Sequence, residues 1–112
     1  MRVLVVDDDP LVRRSLGRLL RMHAVALAKD GNEALALIRS GTTFDAILCD
    51  LNMPGMSGRT LHATIEALLP ELARRIVFMS GGALSSSDNA FLAAHRSLQK
   101  PFTQRDLEAL LE

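Results

Sequence analysis

An alternation of short β-branched apolar runs with longer amphipathic segments constrains the fold more than any other feature. Residues 3–6 read Val-Leu-Val-Val, a continuous apolar run expected of a strand that is covered on both faces. Asp9 and Pro10 follow as a helix N-cap and a first helical residue. Because such strand–helix pairs succeed one another along the chain, the sequence predicts an α/β domain with a parallel sheet.

Five strand–helix units can be placed along the sequence. The predicted strands cover residues 3–6, 23–28, 45–49, 75–79 and 97–99. The predicted helices begin after Asp9, after Asp30, at residue 58, near residue 88 and after Thr103, and the third of them stops at Pro70. The apolar face of the first helix is predicted to comprise Leu11, Val12, Leu16, Leu19 and Leu20.

Composition and charge limit the classes of function. The 112 residues suit one domain, predicted over residues 1–112. The 13 Lys and Arg residues balance the 13 Asp and Glu residues, so neither nucleic acid nor a membrane is predicted as a direct partner. No apolar run approaches the roughly 18 residues of a membrane span, and the N-terminus does not resemble a signal peptide. The single cysteine, Cys49, fits a reducing cytoplasm.

Polar side chains stand at the ends of four of the five predicted strands. Asp7 and Asp8 follow the first strand, Asp50 the third, Ser80 the fourth and Lys100 the fifth. Ligand sites of open α/β sheets lie at the carboxyl ends of the strands. Periodicity does not set the strand order, and we take the flavodoxin-like, doubly wound (βα)5 order 2-1-3-4-5. Strands one and three are neighbours in that order, so their acids should lie side by side.

The clustered acids predict a site for a divalent cation. Carboxylates that lie close together repel one another, so at least one of them should have a raised pKa when no cation is bound. Mg²⁺ prefers hard oxygen ligands and is commonly held by one or two carboxylates together with a phosphate. Asp8 and Asp50 suit direct ligation, and Asp7 suits contact through water.

The same residues suit phosphoryl transfer. The carboxylate of Asp50 can attack phosphorus and form an aspartyl phosphate. Lys100 can pair with the phosphoryl oxygens, and the hydroxyl of Ser80 can donate a hydrogen bond to one of them. Asp50, Lys100 and Ser80 are therefore the predicted catalytic residues.

Four segments of the chain resemble the signature segments of response-regulator receiver domains of two-component signalling. The resemblance lies in residue type, order and spacing, and it extends over essentially the whole chain. The region between strands four and five, with its paired glycines and its run of serines at 85–87, is similar to receivers of hybrid sensor histidine kinases. The four segments are Val5-Val6-Asp7-Asp8, the run from Cys49 to Gly58, Phe78-Met79-Ser80-Gly81 and Lys100-Pro101-Phe102.

The resemblance implies a phospho-acceptor switch of a phosphorelay in the cytoplasm. A histidine kinase or a histidine phosphotransfer domain would donate a phosphoryl group to Asp50, and the surface of strand four and the following helix would then change. The domain would catalyse its own phosphorylation and slow autodephosphorylation without turning over an independent substrate. A homodimer is left open.

The resemblance also implies a ligand set and a backbone feature. Mg²⁺ or Mn²⁺ would be bound by Asp7, Asp8, Asp50 and the backbone carbonyl of Asn52. The Lys100–Pro101 peptide bond would be cis, which only X–Pro bonds tolerate readily.

Both switch positions depart from the family pattern. Ser97 stands three residues before Lys100, where the family usually has Tyr or Phe, so a rotating aromatic side chain cannot act there. Ser80 stands where Thr is more usual. These changes leave the phosphorylation chemistry intact and put the usual output mechanism in doubt.

Three other functions are weighed against this one. A phosphatase of the haloacid dehalogenase type has a second acid two residues after its nucleophile, where this chain has Asn52. A flavodoxin-like FMN binder would need its phosphate near three acids, and the chain has no Trp or Tyr to stack on a flavin. A non-phosphorylated protein-interaction module on the same fold stays open because of Ser97.

Overall fold

A computed structural model of the protein describes residues 1–82 and 84–111 and shows a five-stranded parallel sheet. The strand order is β2-β1-β3-β4-β5, and every neighbouring pair is parallel. The predicted flavodoxin-like order is therefore confirmed. The strands are β1 (Arg2–Val6), β2 (Ala24–Ala28), β3 (Ala46–Asp50), β4 (Ile76–Ser80) and β5 (Ser97–Gln99).

Helices cover both faces of the sheet, and most begin at a side-chain cap. The Asp9 carboxylate accepts a hydrogen bond from the amide of Leu11, which confirms the predicted N-cap. Among the described helices, none has the length and apolar character needed to cross a membrane. The helices are α1 (Pro10–Leu19), α2 (Gly31–Arg39), α3 (Gly58–Leu68), α4 (Pro70–Ala73), α5 (Ser86–Ala93) and α6 (Gln104–Leu111).

Several predicted boundaries are wrong by a few residues. Pro70 ends α3 as expected, but it also begins the short, unpredicted α4, because proline suits the first position of a helix. Helix α5 begins at Ser86, since the hydroxyl of Ser85 accepts a hydrogen bond from the amide of Asp88. Leu11, predicted on the buried face of α1, is 65% exposed.

Strands β3 and β4 each extend one residue beyond the predicted end. Asp50 pairs with Met79, and Ser80 pairs with Gln99, so the hydrogen-bonded ladder includes both predicted site residues. A residue within a ladder has a fixed backbone, and the direction of its side chain is fixed with it. The predicted acceptor and the predicted hydroxyl therefore stand on rigid backbone.

The core lies in two layers, one on each face of the sheet. Alternate strand residues point to opposite faces, so the buried strands are apolar at nearly every position. One layer packs β-strand residues against α2 and α3, and the other packs them against α1 and α6. The buried strand residues are Leu4, Val6, Ala28, Ile47, Cys49, Ile76 and Phe78 in the first layer and Val3, Val5, Ala46, Leu48, Val77 and Met79 in the second.

Candidate functional site

The predicted acids meet at the carboxyl edge of the sheet, where β1 and β3 are neighbours. Val6 pairs with Cys49, so the residue that follows each of them lies at the same level. One carboxylate oxygen from each of Asp7, Asp8 and Asp50 lies within 4.8 Å of the other two. The structure thus brings together the three acids that the sequence placed at the ends of two different strands.

Asp7 is fully buried, and the protein contacts each of its oxygen atoms. The ammonium group of Lys100 lies 2.9 Å from Oδ2, and the amide of Asp9 donates a 2.9 Å hydrogen bond to Oδ1. The guanidinium group of Arg13 donates a 2.7 Å hydrogen bond to the Asp7 backbone carbonyl. A buried carboxylate needs such partners, and these contacts hold the Asp7 and Lys100 side chains in place relative to each other.

Lys100 reaches the site from the end of β5. Its backbone amide donates a hydrogen bond to the carbonyl of Ser80, and the Lys100–Pro101 peptide bond is cis. Its Nζ atom lies 3.5 Å from Oδ1 of Asp50. Burial alone would lower the pKa of Lys100, but the hydrogen bond to Asp7 and the charge of Asp50 outweigh that effect and raise it. Lys100 is therefore a permanent cation shared by two carboxylates.

The carboxyl group of Asp50 has a raised pKa. Burial raises its pKa from 3.8 to about 6, and the charges of Asp7 and Asp8 act in the same direction. The neighbouring Lys100 charge opposes the rise without cancelling it. A carboxyl group that is disfavoured as an anion, next to two further acids, is one that a bound cation would relieve.

The donor set fits a hard divalent cation. Asp7 and Asp50 are buried, whereas Asp8 is exposed, so the acid cluster opens to solvent on one side. Three carboxylates with an open side match the way in which Mg²⁺ is held while it keeps several waters. Asn52 is exposed in the loop directly after β3, and its carbonyl as a ligand stays a prediction.

The two predicted switch residues lie at different heights on the sheet. Ser80 is buried at the carboxyl end of β4, beside the end of β3. Ser97 is exposed at the start of β5. It pairs with Phe78, which precedes Ser80 by two positions on β4. The structure thus places Ser80 at the site edge and Ser97 away from it.

Gly58 is a site residue whose role the sequence did not reveal. A Cβ atom at this position would lie 2.5 Å from the Asp50 carbonyl oxygen and 3.0 Å from the Leu51 Cα, too close for any other residue without a backbone shift. Its amide donates to the carbonyl of Leu51. Gly58 thus lets the start of α3 press against the backbone of the acceptor. A glycine at the first position of a capped helix was the available signal.

Cys49 takes no part in the chemistry of the site. It lies in β3 directly before Asp50 with its side chain fully buried. Burial raises the pKa of its thiol, and the charges of Asp50 and Asp7 add to the effect. A thiol held in its neutral form is a poor nucleophile, which agrees with the expectation of a buried strand residue.

Comparison with known proteins identifies the family. The family described as "Response regulator receiver domain" matches residues 3–112. The chemotaxis protein CheY of Pseudomonas aeruginosa is 34% identical over an alignment of 119 positions, which covers 100% of this chain and 94% of the relative. Response regulator MprA of Mycolicibacterium vanbaalenii is 34% identical over 111 residues, which cover 97% of this chain and 48% of the relative.

The chain corresponds to only part of several relatives. It spans about half of response regulator MprA. A gliding motility regulatory protein of Myxococcus xanthus is 36% identical over 90 residues, which cover 79% of this chain but 11% of that protein.

Solved structures agree with the sequence relatives. A response regulator receiver domain protein of Clostridium thermocellum superposes with a TM-score of 0.83 at 26% identity, covering 98% of this chain and 90% of that one. Chemotaxis protein CheY4 of Vibrio cholerae gives a TM-score of 0.83 at 28% identity, covering 98% and 94%. With the family match over nearly the whole sequence and the acid cluster at the predicted edge, the chain belongs to the response regulator receiver domain family.

Proposed function

We propose that this chain is a phospho-acceptor switch of a two-component phosphorelay and that Asp50 is the acceptor. One observation carries the proposal. Asp7, Asp8, Asp50 and Lys100, which come from the ends of three different strands, form one pocket at the carboxyl edge of the sheet. Such a pocket offers a nucleophilic carboxylate, a cation site and a fixed ammonium group.

The reaction follows from these positions. A carboxylate oxygen of Asp50 attacks the phosphorus of a phosphohistidine, an O–P bond forms and the N–P bond breaks. The released imidazole takes a proton from solvent. Lys100, 3.5 Å from Oδ1 of Asp50, is placed to pair with the phosphoryl oxygens as their charge redistributes. Ser80, on the neighbouring strand end, donates its hydroxyl hydrogen bond to the bound phosphoryl group.

Asp8, Asp50 and the carbonyl of Asn52 would hold Mg²⁺ or Mn²⁺, and Asp7 would contact it through water. When bound, the cation would neutralise the negative charge of the phosphoryl oxygens and of the clustered carboxylates. Asp7 suits the indirect role because both of its carboxylate oxygens already accept hydrogen bonds from the protein. Hydrolysis of the aspartyl phosphate would be slow and catalysed by the same pocket.

The phosphoryl donor would be a histidine kinase or a histidine phosphotransfer domain. An apolar groove between α1 and the segment after β5 lies next to Lys100, and Leu11 on its rim is 65% exposed. Helix α1 also carries three arginines, so this part of the surface would suit a partner helix with apolar and acidic side chains. The apolar lining of the groove comprises Leu11, Val12, Leu16, Leu19, Pro101 and Phe102, and the arginines of α1 are Arg13, Arg14 and Arg18.

The wider setting of the domain is part of the same proposal. We infer one receiver domain over residues 1–112, acting in the cytoplasm, with no direct contact to nucleic acid or membrane. Both a stand-alone regulator and the receiver of a hybrid sensor kinase fit the family match. Output would pass through the surface of β4 and α5, and homodimer formation is one form that it could take.

Incubation with acetyl phosphate and Mg²⁺, followed by intact-mass analysis, tests the acceptor. The wild-type protein should gain the mass of one phosphoryl group, and the gain should disappear when the metal is chelated. Asp50→Asn should show no gain, whereas the matched variant Asp45→Asn, at an exposed acid outside the pocket, should gain it normally. A gain that survives in Asp50→Asn contradicts the proposal.

A non-phosphorylated interaction module is the second candidate, and Ser97 is the observation that favours it. This exposed serine cannot act as the aromatic switch of the family. Beryllofluoride, which mimics the bound phosphoryl group, separates the two candidates. Amide spectra that change on adding beryllofluoride and Mg²⁺ support the switch, and unchanged spectra support the module.

A further inference from the structure

The side chain of Arg59 contacts three residues of α5. Its Nη1 atom donates a 2.8 Å hydrogen bond to the hydroxyl of Ser87 and lies 3.7 Å from a carboxylate oxygen of Asp88. Its guanidinium carbon lies 4.9 Å from the ring centroid of Phe91. One side chain of α3 therefore holds the first turn and the middle of α5 together.

Helix α5 has few other attachments. None of its residues is fully buried, and its side chains reach the core only through the partly buried Phe91 and Leu92. It follows β4 through a segment that contains Gly81 and Gly82, which restrict the backbone little. A helix held in this way belongs to the low-stability end of a structure.

Phe91 also belongs to a ring cluster that reaches the strand of Ser80. The ring cluster comprises His62, Phe78, Phe91 and His95. Phe91 stacks on His95 at 4.1 Å and meets Phe78 edge-on at 4.9 Å, and the two histidine rings lie 4.9 Å apart. The fold thus brings together two histidines that are distant in the sequence. Phe78 stands two residues before Ser80 on β4, so the cluster joins α5 to the site strand.

Arg59 is also linked to Asp50, through the backbone at the start of α3. It directly follows Gly58, whose Cα is packed against the carbonyl of Asp50. A shift of the β3 end would therefore move the start of α3 and the guanidinium group with it. Two routes thus connect the site with α5: the first runs through Gly58 and Arg59, and the second runs through Phe78 and Phe91.

We propose that Arg59 is the positioning residue that latches α5 onto α3 and couples its placement to the state of Asp50. The Arg59 latch consists of Arg59 with Ser87, Asp88 and Phe91. It offers a physical route to output that needs no aromatic side chain at Ser97. The coupling rests on the proposed phosphorylation of Asp50, whereas the latch itself does not.

The latch is weak enough to open. The Arg59 side chain is 43% exposed, so its ion pair with Asp88 is screened by water. An exposed ion pair and cation–π contact together shift an equilibrium by about tenfold. A latch of that strength can be released by a modest rearrangement at Asp50.

Hydrogen exchange of α5 amides, followed by mass spectrometry, tests the latch. In Arg59→Gln, exchange across residues 86–93 should become about tenfold faster than in the wild type, while the strands β1 and β3 should be unchanged. Ser87→Ala, which alters the other partner of the 2.8 Å bond, should have a smaller effect in the same place. The control Arg39→Gln, at an exposed arginine in the last turn of α2, should leave α5 unchanged.

Addition of beryllofluoride and Mg²⁺ then tests the coupling. The wild type should show altered exchange in α5, and Arg59→Gln should show no further change there, although both proteins take up the same amount of beryllofluoride. Wild-type exchange rates across residues 86–93 in Arg59→Gln, measured without beryllofluoride, would overturn the latch. A full response in that variant would overturn the coupling. If the wild type takes up no beryllofluoride, the proposed function and the coupling fail, and the measurement without it still decides the latch.

Discussion

At the scale of single residues, Asp50 is the side chain on which the account depends. Its folded-state pKa of about 6 lies above the 3.8 of an ordinary aspartate, mainly because it is buried. Between these two pH values the folded state binds more protons than the unfolded state, so the free energy of unfolding falls as pH rises. The ionised acceptor therefore destabilises the fold above pH 6, as expected for a functional group held in an unfavourable place.

The substitution Asp50→Asn should consequently stabilise the protein at high pH. A shift of this size, which already includes the opposing attraction of Lys100, corresponds to about 3 kcal/mol at pH 8. At pH 4 only a small part of this gain in the free energy of unfolding should remain, because Asp50 is then protonated in the folded protein. Urea unfolding at the two pH values measures the difference.

The matched control for this measurement is Glu108→Gln, at an exposed acid on α6. It should change the free energy of unfolding little at either pH. An Asp50→Asn variant that is no more stable than the wild type at pH 8, or equally stabilised at both pH values, would contradict the prediction. It would show that the ionised Asp50 carboxylate does not destabilise the fold.

At the scale of secondary-structure elements, the approach of α3 to β3 depends on the missing side chain of Gly58. Gly58→Ala would place a methyl group 2.5 Å from the carbonyl oxygen of Asp50. Since both partners are backbone atoms, the helix must move, and the free energy of unfolding should fall by about 1–3 kcal/mol. Denaturant unfolding measures the loss, and phosphoryl uptake by Asp50 should also slow.

Gly17→Ala is the matched control for Gly58→Ala. Gly17 lies within α1, and an added methyl group would meet no atom within 4 Å. This substitution should stabilise the protein by about 0.5–1 kcal/mol, because alanine loses less backbone freedom in a helix. Equal effects of the two substitutions would argue against a specific role for Gly58 in packing α3 on the acceptor.

The ring cluster predicts that the docking of α5 depends on pH. Burial lowers the pKa of His62 below 6.5, and the charge of His95 adds to the effect while Glu66 opposes it. Arg74 and Arg96 also line the groove beside His62 and His95. The folded state thus binds fewer protons than the unfolded state, so the stabilisation is present above pH 6.5 and is lost as pH falls below it.

Protection factors of the α5 amides, corrected for intrinsic exchange, should fall between pH 7.5 and pH 5.5. His62→Gln, which cannot be protonated in this range, should remove most of that pH dependence. His23→Gln should keep the pH dependence, because His23 lies beside the N-terminal amino group and outside the ring cluster. Protection that is constant with pH in the wild type would contradict the prediction.

Element boundaries show what the sequence could and could not predict. The strands and the α1 cap were predictable because they depend on local properties, such as the apolar run at residues 3–6 and the Asp9–Pro10 pair. Helix α4 was not, since Pro70 can end one helix and begin another. The exposure of Leu11 was also missed, because the spacing of apolar residues along a helix does not show which of them the sheet covers.

At the scale of the whole molecule, the site is assembled from residues that are distant in sequence. Asp7, Asp50 and Lys100 could be predicted together because parallel strands share a carboxyl edge and because the signature segments resemble a family. The Arg59 latch and the pairing of His62 with His95 could not be predicted. They depend on how α3 and α5 pack, and no spacing in the sequence reports that geometry.

The most direct test of the central claim is a crystal structure of the wild-type protein grown with Mn²⁺ and beryllofluoride, with the metal located by its anomalous signal. The account predicts one Mn²⁺ ion bound by Asp8 and Asp50, beryllofluoride attached to the carboxylate of Asp50, and the Lys100 ammonium group in contact with a fluoride. Metal bound elsewhere, or beryllofluoride absent from Asp50 at saturating concentration, would contradict it.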